Sequence, residues 1–337
     1  MRVNCIIKRV LKITGSVLLA SAIFVMAAVA AVYGNSYSEE EKFNMSYIYF
    51  GNSDLYYHHV EKTRNSLNEI SPNYFNINLD GIMELTTAID RNFIDEMHKK
   101  GVEVVPFISN HWNVEAGRNA LKNMKVLTDQ IVEAIEYYNL DGINVDIEGL
   151  DEKDRNSYTE FVKMLRDKLP EGKSLSVAVA VNPWGINKGW QGSYDYEELG
   201  KYSDYLMLMA YDQNYGGSAP GPVAGSQFVE DSIKYALGKI PKEKVVLGIP
   251  FYGRYWKSGS SYGGYGISLT DVEELIKNYR GQVSFDKSSM SAKAVITVKS
   301  WDKKPVLFGR QLEAGTYTIW YENEQSIKYK LSLVQKI

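Results

Sequence analysis

Seven short apolar runs alternating with stretches of helical spacing leave this chain few choices of fold. The runs are Ser46–Phe50, Tyr74–Asn78, Val102–Ile108, Gly142–Ile147, Ser174–Val181, Tyr205–Tyr211 and Val245–Tyr252. Between them, Lys125–Tyr138 spaces Val126, Leu127, Ile131, Val132 and Ile135 as a helix does, and Asp154–Leu169 carries Tyr158, Phe161, Val162 and Leu165 on one stripe. Phe228–Leu237 and Thr270–Tyr279 repeat the pattern. Parallel strands need such crossovers, so repeated strand–helix units predict a parallel sheet. No Gly-x-Gly-x-x-Gly follows an early strand, and SYGGYG, with Gly263, Gly264 and Gly266, reads as a loop. The expected fold is therefore α/β, a TIM-type (β/α)8 barrel rather than a doubly wound sheet. Residues 281–321 hold two β-like runs, Ala294–Lys299 and Thr316–Tyr321, and predict a small α+β insertion after strand seven. Glu324–Lys336 reads as one more helix, and no eighth strand follows it, so the barrel is expected to be C-terminally truncated.

The first 35 residues read as an address rather than as fold. Arg2, Lys8, Arg9 and Lys12 precede a nearly unbroken apolar run from Val17 to Val32, and Ala28-Val29-Ala30 offers a small-x-small cleavage site. A signal peptide and an uncleaved membrane anchor fit equally, and both put the domain at 44–337 outside the cytoplasm, secreted or anchored in the cell envelope. Residues 36–43 form a polar linker. The sole cysteine, Cys5, precedes the apolar run, so core burial must stabilise the domain without disulfides. A net charge of −3 argues against a nucleic-acid partner. No His pair has zinc-helix spacing, and His58-His59 in its Tyr-rich segment reads as surface, so no metal or cofactor is expected.

Within Leu140–Gly149, Ile143, Val145 and Ile147 alternate with Asn144, Asp146 and Glu148. Alternate side chains of a strand point to opposite faces, so one face is apolar and the other carries an amide and two carboxylates. In a barrel interior the neighbouring carboxylates cannot both ionise easily, and one is held protonated. A strand with one wet face explains the same alternation. Strand C-terminal ends are where barrel active sites sit, and several here end in polar or aromatic residues. The fourth ends at Asp146 and Glu148, the fifth runs into Asn182-Pro183-Trp184, the sixth ends Met209-Ala210-Tyr211-Asp212, and the seventh ends Tyr252-Gly253-Arg254. Carboxylates, hydroxyls and rings in one cleft suit a neutral sugar. Tyr, at 25 residues, and Trp, at 6, supply rings, although both also serve ordinary cores.

Asp141-Gly142-Ile143-Asn144-Val145-Asp146-Ile147-Glu148 resembles the D-G-x-D-x-D-x-E signature of glycoside hydrolase family 18, the chitinase-like family. MAYD at 209–212 and LGIPFYGR at 247–254 resemble that family's motifs on strands six and seven. SPNYFNIN at 71–78 and YENEQSIKYK at 321–330 are similar to a bacterial branch with spore-cortex and peptidoglycan N-acetylglucosaminidases. The resemblance implies a retaining, substrate-assisted reaction. Glu148 would be the general acid and base. The substrate's 2-acetamido oxygen would be the nucleophile, giving an oxazolinium intermediate. Asp146 would orient the acetamide and Tyr211 would hydrogen-bond its oxygen. Asp141, Asn144 and Asp212 would contact substrate, as would Met209, Trp184, Tyr252 and Arg254.

Two positions depart from the pattern. Asn144 stands where the family has a second Asp, and an amide cannot share a proton with Asp146. The eighth strand, whose Trp floors the family's sugar site, has no counterpart, implying a fragment or a barrel that closes another way. The expected protein is a monomeric glycosidase on β-1,4-linked N-acetylglucosamine in peptidoglycan, reaching the membrane through its N-terminal segment if that stays uncleaved. A chitinase acting on chitooligosaccharides and a truncated carbohydrate-binding protein without turnover are the alternatives.

Overall fold

The computed structural model describes residues 42–336, so the expected signal or anchor lies outside the described residues. Seven parallel strands run in chain order: β1 Met45–Ile48, β2 Glu69–Ile77, β3 Phe107–Ser109, β4 Gly142–Asp146, β5 Ser174–Ala180, β6 Tyr205–Met209 and β7 Val245–Leu247. Each pairs with the next. The helices between them include α1 Ser53–Lys62, α2 Arg91–Lys99, α3 Val114–Lys122, α4 Met124–Tyr138, α5 Arg155–Lys168, α6 Tyr196–Tyr202 and α7 Ser226–Leu237. Asn52, Asp90, Asn113 and Asp195 cap four of them by accepting a first-turn backbone N–H. Among the described residues no eighth strand pairs with β1 or β7, and no helix is long and apolar enough to cross a membrane.

The β4 alternation sorts the layers. Ile143, Val145 and Ile147 are buried in the main core, which also holds the α5 stripe of Tyr158, Phe161, Val162 and Leu165 and the α4 residues Leu127, Ile131 and Ile135. Burying each such side chain contributes about 1.5–3 kcal/mol. Val126, counted with the α4 apolar positions, is instead exposed. On the other side of the sheet Ala178, Tyr205, Met207 and Met209 form a separate interior cluster. Asn144 is fully buried. The polar face of β4 is thus an interior, and the wet-face explanation falls.

The seventh run does not stay one strand. Pairing with β6 stops at Leu247, and Gly248-Ile249-Pro250 follows without strand structure. Proline has no N–H to donate to a ladder. The chain restarts as β8 Tyr252–Lys257 in a second, antiparallel sheet with β9 Tyr265–Ser268, β10 Gln282–Asp286, β11 Ser291–Val298 and β12 Gly315–Tyr321. Its order is β9-β8-β12-β11-β10, and α8 Leu269–Asn278 lies against it over Tyr255, Ile267, Val272, Leu275 and Ile319. The α+β unit therefore begins near Tyr252, earlier than the expected 281, and Gly266 of the supposed loop lies in β9. The last helix, α9 Glu324–Lys336, is tied down by a 2.7 Å ion pair between Lys330 and Glu322, each 1% exposed.

Candidate active site

Register places Asp146 beside Ser109 and Asn144 beside Phe107, so β3 and β4 end together at the mouth of the sheet. Glu148 lies two residues beyond β4, on the Asn144 and Asp146 side by parity. Its backbone is splinted by Asn110, a 1% exposed residue just after β3. The Asn110 Oδ1 accepts from Glu148 N at 2.8 Å, and its Nδ2 donates to the carbonyls of Glu148 at 2.8 Å and Asn113 at 2.9 Å. Gly117 makes room for this amide, since a Cβ there would lie 2.8 Å from Asn110 Nδ2. Gly149 continues the turn with φ +76°, a conformation that favours glycine.

Trp112 donates its indole N–H to the Glu148 carboxyl. Its ring packs at 4.7 Å against Trp190, whose Nε1 donates to Tyr194 Oη at 3.2 Å. Tyr194 in turn donates to the carbonyl of Ile147 at 3.1 Å. One face of Glu148 is thus an aromatic wall fastened to the backbone just after β4.

Burial raises the Asp146 pKa, partly opposed by a hydrogen bond from Ser109. Asp146 Oδ1 is buried without a hydrogen-bond partner. Glu148 is also raised, first by desolvation and then by the negative charges of Asp146 and Asp212, with the Trp112 bond acting against the rise. The Tyr211 hydroxyl is pushed up by burial and by the same three carboxylates, which places it in their field. Its ring meets Tyr252 edge-on at 6.3 Å. This arrangement can hold a neutral carboxylic acid beside an acceptor oxygen and a phenolic donor at neutral pH.

A sequence model described as "Glycosyl hydrolases family 18" matches residues 33–336. The chain belongs to this family. Among curated relatives, it is 29% identical over 215 residues to the "Uncharacterized glycosylase YvbX" of Bacillus subtilis, covering 63% of this chain and 58% of that protein. It is 29% identical over 228 residues to the "Cortical fragment-lytic enzyme" of Bacillus subtilis, covering 66% of this chain and 51% of the relative. The chain thus spans little more than half the length of these relatives. The Bacillus cereus spore cortex-lytic enzyme SleL has the same fold, with a TM-score of 0.76 at 18% identity over 87% of this chain and 68% of that one. A chitinase from Chromobacterium violaceum superposes with a TM-score of 0.75 at 25% identity over 88% of this chain and 91% of that one.

The family signature does not converge as a whole. Asp146, Glu148, Tyr211 and Asp212 share one electrostatic neighbourhood. Asp212, with φ 55°, is gripped by Arg254 through Nε at 2.8 Å and Nη2 at 2.7 Å, and accepts from Tyr252 Oη at 2.5 Å. Arg254 Nη1 also donates to the Gly264 carbonyl at 2.6 Å. Tyr252 and Arg254 therefore act on Asp212, whatever else they touch. Met209 lies in the interior wall with Tyr205 and Met207. Asn144 lies below Asp146, accepting from Tyr47 Oη at 2.9 Å and donating to Ser176 Oγ at 2.7 Å. Trp184 is 62% exposed, with its ring 5.9 Å from Phe228 on α7. Asp141 precedes β4 at the opposite end of the strand, bonded to His98 Nε2 and Val104 N at 2.8 Å each. It is not brought into the site and instead ties β4 to the α2–β3 connection.

Ser109, Asn110 and Trp112 were not picked out from the sequence. A local signal for them exists: Ser109-Asn110-His111-Trp112 follows the third apolar run, as polar and aromatic residues follow the fourth to seventh.

Proposed function

We propose that this protein hydrolyses β-1,4-linked N-acetylglucosamine in peptidoglycan with retention of configuration. The observation that carries this reading is the Asp146–Glu148 pair. Both carboxyls are raised, one Asp146 oxygen is unpartnered, and the charges acting on Glu148 are negative. Glu148, protonated at neutral pH, gives its proton to the glycosidic oxygen as the bond to the anomeric carbon breaks. The substrate's own acetamide oxygen bonds that carbon, and Asp146 accepts the acetamide N–H, stabilising the positive charge of the oxazolinium. Tyr211 donates to the acetamide oxygen. Glu148, now a carboxylate, removes a proton from the water that opens the ring. The wall of Trp112 and Trp190 offers a stacking face for a pyranose.

Peptidoglycan as substrate is supported by the likeness to cortical fragment-lytic enzymes and by the exported character of the N-terminal sequence. Chitooligosaccharide is the second reading, favoured by the near-complete superposition on the Chromobacterium chitinase. The test is incubation of the purified protein with peptidoglycan and, separately, with chitin oligomers, followed by mass analysis of products. New reducing ends at N-acetylglucosamine from peptidoglycan support the first reading. Release from chitin oligomers alone selects the second. Saturable sugar binding without products in either assay leaves a carbohydrate-binding protein and sinks both.

A further inference from the structure

Below Asp146 the barrel interior contains a row of polar side chains that the reaction does not touch. Tyr47 Oη donates to Asn144 Oδ1 at 2.9 Å, and Asn144 Nδ2 donates to Ser176 Oγ at 2.7 Å. Ser176 lies in hydrogen-bonding reach of the Tyr205 hydroxyl and acts on it as a donor would, and Tyr205 Oη donates to Glu69 Oε1 at 2.6 Å, with the weaker acceptor Met45 Sδ at 3.3 Å. Asn144, Ser176 and Glu69 are at most 1% exposed and Tyr205 is 7% exposed. The bonds cross β1, β4, β5, β6 and β2, and every donor points the same way, from the mouth toward Glu69 at the start of β2. Burial requires each of these groups to be satisfied, so the direction of one bond constrains the next.

Asn144 is what makes a single direction possible. An amide accepts through one atom and donates through the other. An ionised Asp at that position would accept from both Tyr47 and Ser176, and the chain would break into two. Glu69, the terminal acceptor, fixes which way the whole row runs. The consequence is at the top: Tyr47, close enough to Asp146 to feel its charge, spends its only proton on Asn144. Asp146 Oδ1 is left unpartnered.

We infer that Glu69, at the far end of the barrel interior from Glu148, is a positioning residue for the site: by terminating the chain Tyr47→Asn144→Ser176→Tyr205→Glu69 it turns the Tyr47 hydroxyl away from Asp146 and keeps an Asp146 oxygen open for the substrate N–H. The part of this that concerns substrate rests on the function proposed above. The hydrogen-bond polarity does not. Glu69 is itself raised to about 8, by burial first and then by Glu103, Asp141 and Asp204, with the Tyr205 bond acting against the rise. Its Oε1 can accept from Tyr205 whether or not the group is ionised.

The test follows the Asp146 carboxyl by carbon-13 NMR titration in the full-length protein, with kcat against pH where substrate is turned over. In Glu69→Leu the chain loses its strong acceptor, keeps only the weakly accepting Met45 Sδ, and can reverse, freeing Tyr47 to donate to Asp146. A new donor favours the carboxylate, so Asp146 should titrate at lower pH than in the parent. The acid limb of kcat should move down with it, and kcat at the optimum should fall about tenfold, the equivalent of one hydrogen bond misdirected. Glu69→Gln retains an acceptor and should behave as the parent. Tyr205→Phe breaks the row one link higher and should reproduce the Glu69→Leu shift, which covers the case in which Glu69→Leu fails to fold. Adding Tyr47→Phe to either should return the Asp146 titration toward the parent, because the competing donor is gone. An unchanged Asp146 titration in both Glu69→Leu and Tyr205→Phe overturns the inference. A shifted titration in a protein inactive on both glycans upholds the inference and sinks the proposed function instead.

Discussion

Two groups of carboxylates stand at the same mouth and are treated in opposite ways. Asp212 is clasped by Nε and Nη2 of Arg254 and by the Tyr252 hydroxyl. Asp146 and Glu148 receive one side-chain hydrogen bond each, from Ser109 and Trp112, and the charges that raise Glu148 are negative. A carboxylate given a guanidinium fork is fixed in place, whereas carboxyls buried beside each other hold a proton. The first arrangement serves shape. The second keeps an acid available at a pH where free glutamate has lost its proton. In the function proposed above, the uncompensated pair rather than the better-bonded one carries the chemistry.

The strongest way to break this contrast is Glu148→Gln. Turnover should fall by about 10²–10⁴-fold, since the transferable proton is gone. Stability should move the other way. The folded protein binds a proton at Glu148 that the unfolded chain releases above its ordinary pKa of 4.5. Stability from this group is therefore lost as pH rises from there toward the raised folded value. Removing the group should stabilise the variant at pH 8 by on the order of 1–3 kcal/mol and leave it near the parent at pH 4.5. Denaturant melts at the two pH values check this, and a variant destabilised at pH 8 would contradict the raised acid.

Arg254→Leu attacks the other half of the comparison. The fork is 18% exposed on the arginine side and 38% on the aspartate side, so its loss should cost only about 1–2 kcal/mol. An unclasped Asp212 charge should press Glu148 up further, moving the alkaline limb of kcat to higher pH. The smallest effect is expected for Trp112→Phe. It removes a donor that favours ionised Glu148, so the alkaline limb should again move up, with kcat at the optimum changing by less than about tenfold. A downward shift of that limb in either variant would reverse the electrostatic assignment.

Much of this contrast was legible in the sequence, for reasons of parity. Asn144, Asp146 and Glu148 share one side of β4, while Tyr211 and Asp212 are marked by their place at the C-terminal end of the sixth run. Asp141 was drawn in by its place in the signature, but it has odd parity and sits at the wrong end of the strand. The fork from Arg254 was not legible, because it depends on the chain leaving the barrel after Leu247 and returning as an antiparallel strand. Apolar runs do not reveal such a change of partner when only Gly248 and Pro250 mark it. The Asn110 splint was missed because it acts on the backbone of Glu148 across 38 residues, a contact no local pattern encodes.

The interior row beneath Asp146 also says something about how this molecule is assembled. Tyr47 reaches Asn144 across 97 residues, and Tyr205 reaches Glu69 across 136. Contacts so distant in sequence require long loops to close, and a high share of such contacts slows folding. A single helix or strand pair cannot bring them together in advance, since the row draws on five strands. The oriented surroundings of Asp146 therefore require strands from across the sheet to be in place together.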